Sequence, residues 1–142
     1  MTTCTLSFTA RARNQVLGLR VLVDDVVVAD TMVSQEPVTV THELDDAEQE
    51  HTLCIELLGK TSQHTQVDAD GNIVDDSVLE IQDLSLDGID LGQIFYDKAE
   101  YHHDFNGSGT KVVEGFYGTM GCNGQVLLKF TSPIYLWLLE NF

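Results

Sequence analysis

Apolar and polar positions alternate from the first residues of the chain. In Cys4-Thr5-Leu6-Ser7-Phe8-Thr9-Ala10 the even positions are apolar or small and the odd ones mostly carry hydroxyls, the pattern of a strand with one buried face. Residues 17–23 and 26–29 are β-branched runs separated by Asp24-Asp25, which predicts a hairpin closed by a two-residue acidic turn. Residues 38–41 alternate again, and residues 45–50 are too polar to bury a face, so they are expected to form a loop or one short turn of helix. In residues 52–58, Leu53, Ile55 and Leu57 share one side of a further strand.

The second half repeats the theme with more punctuation. Residues 61–76 turn polar around Asp68-Ala69-Asp70-Gly71-Asn72, which reads as a hairpin with Asp70-Gly71 at its tip. Between 77 and 91 the phase slips: Leu79 and Ile81 are odd, Leu84 and Leu86 even. A β-bulge near Gln82-Asp83 reconciles the two sets. Asp87-Gly88 is another turn signal, Asn106-Gly107-Ser108-Gly109 a loop, residues 112–117 a candidate strand, residues 118–124 a glycine-rich connection and residues 126–130 a strand. Ser132-Pro133 then suits the start of a short helix over the apolar end, with an extended segment as the alternative.

About nine short strands at roughly ten-residue spacing, with no amphipathic helical stripe beyond two turns, predict an all-β fold. We expect an antiparallel two-sheet β-sandwich, jelly-roll-like, in a single domain over residues 1–142, with no internal repeat.

Charge changes the picture most. The 142 residues hold 23 Asp and Glu against 7 Lys and Arg, a net charge of −16, and that field repels phosphates, so nucleic acid is excluded as a partner class. The distribution is uneven. Arg11, Arg13 and Arg20 stand at the amino end without an acid, while every acid except Glu114 and Glu140 lies between residues 24 and 104. This asymmetry suits docking in a multi-copy assembly; acids that simply solvate loops are the alternative. The apolar run 134–139 is too short to span a bilayer, and the amino end lacks a basic head followed by an apolar stretch, so we expect a soluble chain with no membrane partner and no signal peptide. Cys4, Cys54 and Cys122 form no CxxC pair and read as reduced structural thiols.

Candidate chemistry is sparse. Asp68, Asp70, Asn72, Asp75 and Asp76 alternate oxygen donors around a glycine, as a hard cation such as Ca²⁺ requires, but Gly71 and Leu79 stand where the EF-hand pattern needs other spacing. Asp68, Asp70, Asn72 and Asp75 are therefore the candidate metal ligands, and carboxylates that merely suit a turn are the alternative. The five histidines show neither HxxxH nor HxH spacing, and His102-His103 would face opposite sides of a strand. No nucleophile elbow, Walker loop or dinucleotide fingerprint occurs, so no catalytic residue is assigned and the chain is expected not to be an enzyme. Tyr101, Tyr117, Tyr135, Trp137 and Phe142, with the three arginines, make up the candidate docking or binding surface, core packing being the competing role for Trp137.

Two stretches carry a resemblance: residues 68–81 followed by Leu86-Asp87-Gly88-Ile89-Asp90-Leu91, and residues 118–124 followed by Pro133-Ile134-Tyr135-Leu136-Trp137-Leu138-Leu139-Glu140. Together they cover about a third of the chain. The chain resembles small virion proteins of marine tailed phages, especially cyanophages, whose β-sandwiches look like carbohydrate-binding modules. The resemblance implies a non-enzymatic structural protein that decorates a capsid or forms part of a tail or baseplate. Its implied partners are other virion proteins and copies of itself, its location the virion after synthesis in the host cytoplasm, and it supplies no cofactor and no catalytic residue. A glycan-binding adhesion module acting on host surface sugar, with or without Ca²⁺, is the alternative. Calcium-dependent xylan-binding modules are similar in outline, but their ligand set has no residue-by-residue match here.

Overall fold

The first alternating segment becomes β1 (Thr3–Arg13) in the computed structural model, which describes residues 3–142 apart from the side chains of Ser62, Val74 and Asp75. Cys4, Leu6, Phe8, Ala10 and Ala12 are buried, and the residues between them face outward. Next come β2 (Leu17–Val23), β3 (Val26–Val33), β4 (Val38–Asp45) and β5 (Gln49–Leu58). A small excursion holds a 3-10 turn (Ser62–His64), β6 (Thr65–Val67) and β7 (Ile73–Asp76). The chain then runs through β8 (Val78–Leu86), β9 (Ile89–Asp90), α1 (Gln93–Lys98), β10 (Glu100–His103), β11 (Val112–Gly115), β12 (Thr119–Met120), β13 (Gly124–Ser132) and α2 (Ile134–Asn141).

The strands form two antiparallel sheets facing each other. One has the order β12-β8-β1-β4 with β9 attached to β8; the other runs β11-β10-β13-β5-β2-β3. The core lies between them, with Leu6, Phe8, Leu79 and Ile81 from the first sheet packing towards Leu19, Leu53, Ile55 and Phe130 from the second. The fold is thus the expected β-sandwich with a short carboxyl-terminal helix. Strands β6 and β7 pair only with each other.

Turn chemistry follows the acids. Asp24 and Asp25 take φ of 51° and 66°, and Asp87 and Gly88 take 51° and 77°, the pair of positive values that a tight twisted hairpin demands. Asp83 also has positive φ, at 59°. There Ser7 opposes Ser85 and Thr9 opposes Gln82, so two residues of β8 face Phe8 alone. That bulge lets Leu79, Ile81, Leu84 and Leu86 all point inward.

Three local expectations differ from the structure. Only 46–48 form the expected loop, because β4 runs to Asp45 and β5 starts at Gln49, where Gln49 and Glu50 pair with Ser132 and Thr131. Ser132 does not cap α2. It ends β13, and the helix amino terminus is met instead by Asp46, whose Oδ1 accepts the Ile134 N–H at 2.9 Å. The short α1 and β10 are additions, and β10 sets His102 and His103 on opposite faces. Among the described residues no helix is long and apolar enough to cross a membrane.

Candidate functional site

On the outer face of the five-stranded sheet, antiparallel pairing aligns Arg11 of β1, Glu80 of β8 and Thr119 of β12 in one row. Arg11 Nε lies 2.8 Å from Glu80 Oε2, and Arg13 reaches the other oxygen at 3.6 Å. Both arginines are exposed, so the bridges contribute little stability; their effect is to hold planar polar groups in fixed orientation. Gln82 stands one row further along, opposite Thr9.

Tyr117, 81% exposed, lines a groove together with this row. Its hydroxyl rests on Gly115, where an added Cβ would come within 3.0 Å of it. The loop that carries it is tied down, since Gly118 has φ of 99° and its carbonyl accepts the Ile81 N–H at 2.9 Å. Tyr96 completes the wall, its ring 5.8 Å from Phe95 and 6.5 Å from Phe116. The result is a groove of about 290 Å³ lined by Arg11, Glu80, Gln82, Tyr96, Tyr117 and Thr119. An aromatic face flanked by a guanidinium, a carboxylate, an amide and a hydroxyl suits a ligand with one apolar face and a rim of hydroxyls.

A groove of about 390 Å³ at the other sheet is built differently. His102 and Gln125 line it and begin a cross-strand row that runs on, outside the groove, through Glu56, Arg20 and Asp30. Gln125 Nε2 donates to Glu56 Oε1 at 3.0 Å, and Arg20 lies 3.5 Å from Glu56 and 3.6 Å from Asp30. No Tyr, Phe or Trp lines that groove, so it lacks a stacking platform.

The structure thus joins two residues the sequence nominated separately, Arg11 and Tyr117, with Arg13 beside them. Arg20 lies on the opposite sheet. Tyr135 and Phe142 are exposed on α2, whereas Tyr101 and Trp137 are core side chains. The Tyr101 hydroxyl donates to the Cys122 carbonyl and accepts the Cys122 N–H at 2.8 Å, and Trp137 packs edge-on to Phe130 at 6.0 Å. Glu80, Gln82 and Thr119 escaped sequence reasoning, because only strand register brings them together.

Around Asp68, the carboxylate is consumed by its own turn. Its Oδ1 accepts the N–H groups of Asp70 and Asn72, each at 2.9 Å. The Asn72 N–H, helped by further bonds from Asp70 and Gly71, outweighs the opposing desolvation and holds the Asp68 carboxyl below its usual range. The Asp75 side chain lies outside the described residues. Among those described, no group of three His, Cys, Asp or Glu side chains converges as a metal site.

A third constellation has the spacing of a nucleophile triad. Asp24 Oδ2 lies 2.7 Å from His51 Nδ1, and His51 Nε2 lies 3.0 Å from Ser132 Oγ. Ser132, however, is buried and its hydroxyl donates to the Ala47 carbonyl, which leaves no hydroxyl proton for the imidazole to remove. The relay is a brace joining the β2–β3 turn, β5, β13 and the β4–β5 loop. His51→Ala is expected to cost about 1 to 3 kcal/mol by removing the buried ring that bonds Asp24 and Ser132 and stacks on Phe130 at 5.2 Å, read from the urea midpoint. The thiols offer no nucleophile either, since burial pushes Cys4 and Cys54 up to about 12.

No protein-family model and no curated protein matches the sequence. Two solved structures are similar in fold. One is the selenomethionine form of vCBM60, from work on a circular permutation linking two families of calcium-dependent carbohydrate-binding modules, with a TM-score of 0.55, 10% identity, and coverage of 88% of this chain and 89% of that one. The other is vCBM60 in complex with galactobiose, with a TM-score of 0.51, 12% identity, and coverage of 87% and 96%. At such identities the likeness concerns the fold.

Proposed function

We propose that this chain is a non-catalytic glycan-binding module that holds a sugar ring against Tyr117. The observation that carries the reading is an 81% exposed tyrosine that lines one walled groove with the Arg11–Glu80 pair. A pyranose lays its C–H face on the phenol ring while Arg11, Glu80, Gln82 and Thr119 exchange hydrogen bonds with its hydroxyls. That solved structures of the same fold include carbohydrate-binding modules, one holding galactobiose, supports it.

The test is a glycan array followed by calorimetric titration of the best binder, in Ca²⁺ and in EDTA. Tyr117→Ala is expected to weaken binding at least tenfold, about 1.4 kcal/mol, with the melting temperature unchanged because the ring buries little. Full affinity retained in both Tyr117→Ala and Arg11→Ala would sink the reading. A second reading, a virion docking subunit, is favoured by the exposed apolar face of α2.

A further inference from the structure

Helix α2 buries Ile134, Trp137 and Leu138 and turns its other face outward. Tyr135, Leu136, Leu139 and Phe142 are 54%, 59%, 76% and 71% exposed. At the roughly 100° per residue of a helix these four fall within about 120° of arc. Single exposed apolar residues are ordinary, but a contiguous strip along two turns marks a contact surface. The strip is preformed: Asp46 holds the helix start, Asn141 Nδ2 donates to the Trp137 carbonyl at 2.7 Å, and the Phe142 N–H donates to Leu138 at 3.0 Å.

Beside the strip lies a groove of about 600 Å³, bounded by Leu136 and Glu140 of the helix and by Glu48 and Glu50 from the β4–β5 connection. Among the described residues three carboxylates line it and no cation does; Lys129 faces the adjoining groove next to Phe130. Apolar strip and acidic wall together specify an occupant with apolar side chains on one edge and ammonium or guanidinium groups on the other.

We infer that this face docks a cationic amphipathic segment of a second protein, its apolar stripe laid on Leu136, Leu139 and Phe142 and its cations set into the Glu48–Glu50–Glu140 groove. A second copy of this chain does not fit that description. Its three arginines are engaged by Glu80, Asp30 and Glu56, Lys60 is buried, and Lys98, Lys111 and Lys129 lie on separate elements. Two bodies of −16 also repel. An anionic lipid surface is disfavoured by the same carboxylates, and α2 has no basic residue to reach a headgroup. The inference does not depend on the Tyr117 groove.

The probe is a synthetic helical peptide of Leu and Lys at amphipathic spacing, titrated into the ¹⁵N-labelled full chain at physiological salt, with a sequence-scrambled peptide as control. Expected are amide shifts confined to α2 and residues 46–50, at least tenfold weaker binding in the exposed double variant Leu136→Ser, Leu139→Ser, and an affinity less dependent on salt in the triple Glu48→Gln, Glu50→Gln, Glu140→Gln. Unchanged melting temperatures would show that both variants fold. Shifts spread over the whole acidic surface, or equal binding of the scrambled peptide, overturn the proposal, because either means general charge attraction. It is equally overturned by dimerisation in sedimentation that the double serine variant abolishes, or by binding to phosphatidylglycerol vesicles through α2.

Discussion

Lys60→Met is expected to lower the unfolding free energy by about 3 kcal/mol, the lower end of the range for breaking a buried ion pair. The lysine side chain is only 2% exposed, and its ammonium lies 2.8 Å from Asp76 Oδ1 while also donating to the Gly121 carbonyl. Its backbone is held as well. The Lys60 N–H donates to Asn123 Oδ1 and the Lys60 carbonyl accepts from Asn123 Nδ2, both at 2.8 Å. One residue therefore ties the end of β5, the end of β7 and the β12–β13 loop together. The effect stays at the low end because the Asp76 side chain keeps 33% of its surface. Acid dependence separates the ionic part. Burial pushes the Asp76 carboxyl up, but hydrogen bonds from Lys60 and Thr65, the lysine charge and the Ser77 N–H outweigh it and leave the group below its ordinary 3.8. A folded-state value lower than the unfolded one gives stability that is whole above pH 3.8 and drains away as pH falls through the lowered value. The gap between wild type and Lys60→Met, measured by urea unfolding, should narrow over that acid interval. A gap independent of pH would mean that the ammonium's hydrogen bond to the Gly121 carbonyl, rather than its pairing with Asp76, carries the effect.

Gly124→Ala is expected to be as costly, about 3 kcal/mol, by a different physical route. A Cβ at this position would stand 2.3 Å from the His102 carbonyl oxygen and 2.9 Å from the His103 Cβ. The obstacle is backbone, so no rotamer relieves it. Gly124 is the residue of β13 that pairs with His103 at the end of β10, and the methyl group would wedge the two strands apart. Hydrogen exchange should show the damage as local, with the β10 amides losing protection while those of the β1–β4 pair keep theirs. Uniform loss across both sheets would contradict the wedge.

How much of this was legible depended on whether the information is local. The alternation in residues 4–10 names the buried face of β1 because period two needs only neighbours. The slip between Ile81 and Leu84 exposed the bulge for the same reason, and Asp24-Asp25 marked its own turn. Strand β10 left no comparable trace, since four residues offer too little pattern, and six-residue α1 is shorter than two helical turns. The polar stretch at residues 45–50 misled because strand ends that protrude past the core need no apolar residues. Chemistry was harder still. Arg11 and Tyr117 could be nominated singly, but their meeting requires β8 between β1 and β12, and the brace at His51 draws on turns and strands that sequence order keeps far apart.

Strand β13 is the last strand of the chain and sits in the interior of the six-stranded sheet, between β10 and β5. That order has a consequence for biogenesis. Until residue 132 has emerged, β5 has no neighbour on one side and β10 none on the side that β13 will occupy, so β5 offers Leu53, Ile55 and Leu57 on an open edge. Closing it spans about half of the polypeptide, a non-local step of the kind that slows folding. A nascent or truncated chain is consequently the species exposed to wrong pairing, and its surplus of acids keeps such chains apart while they wait.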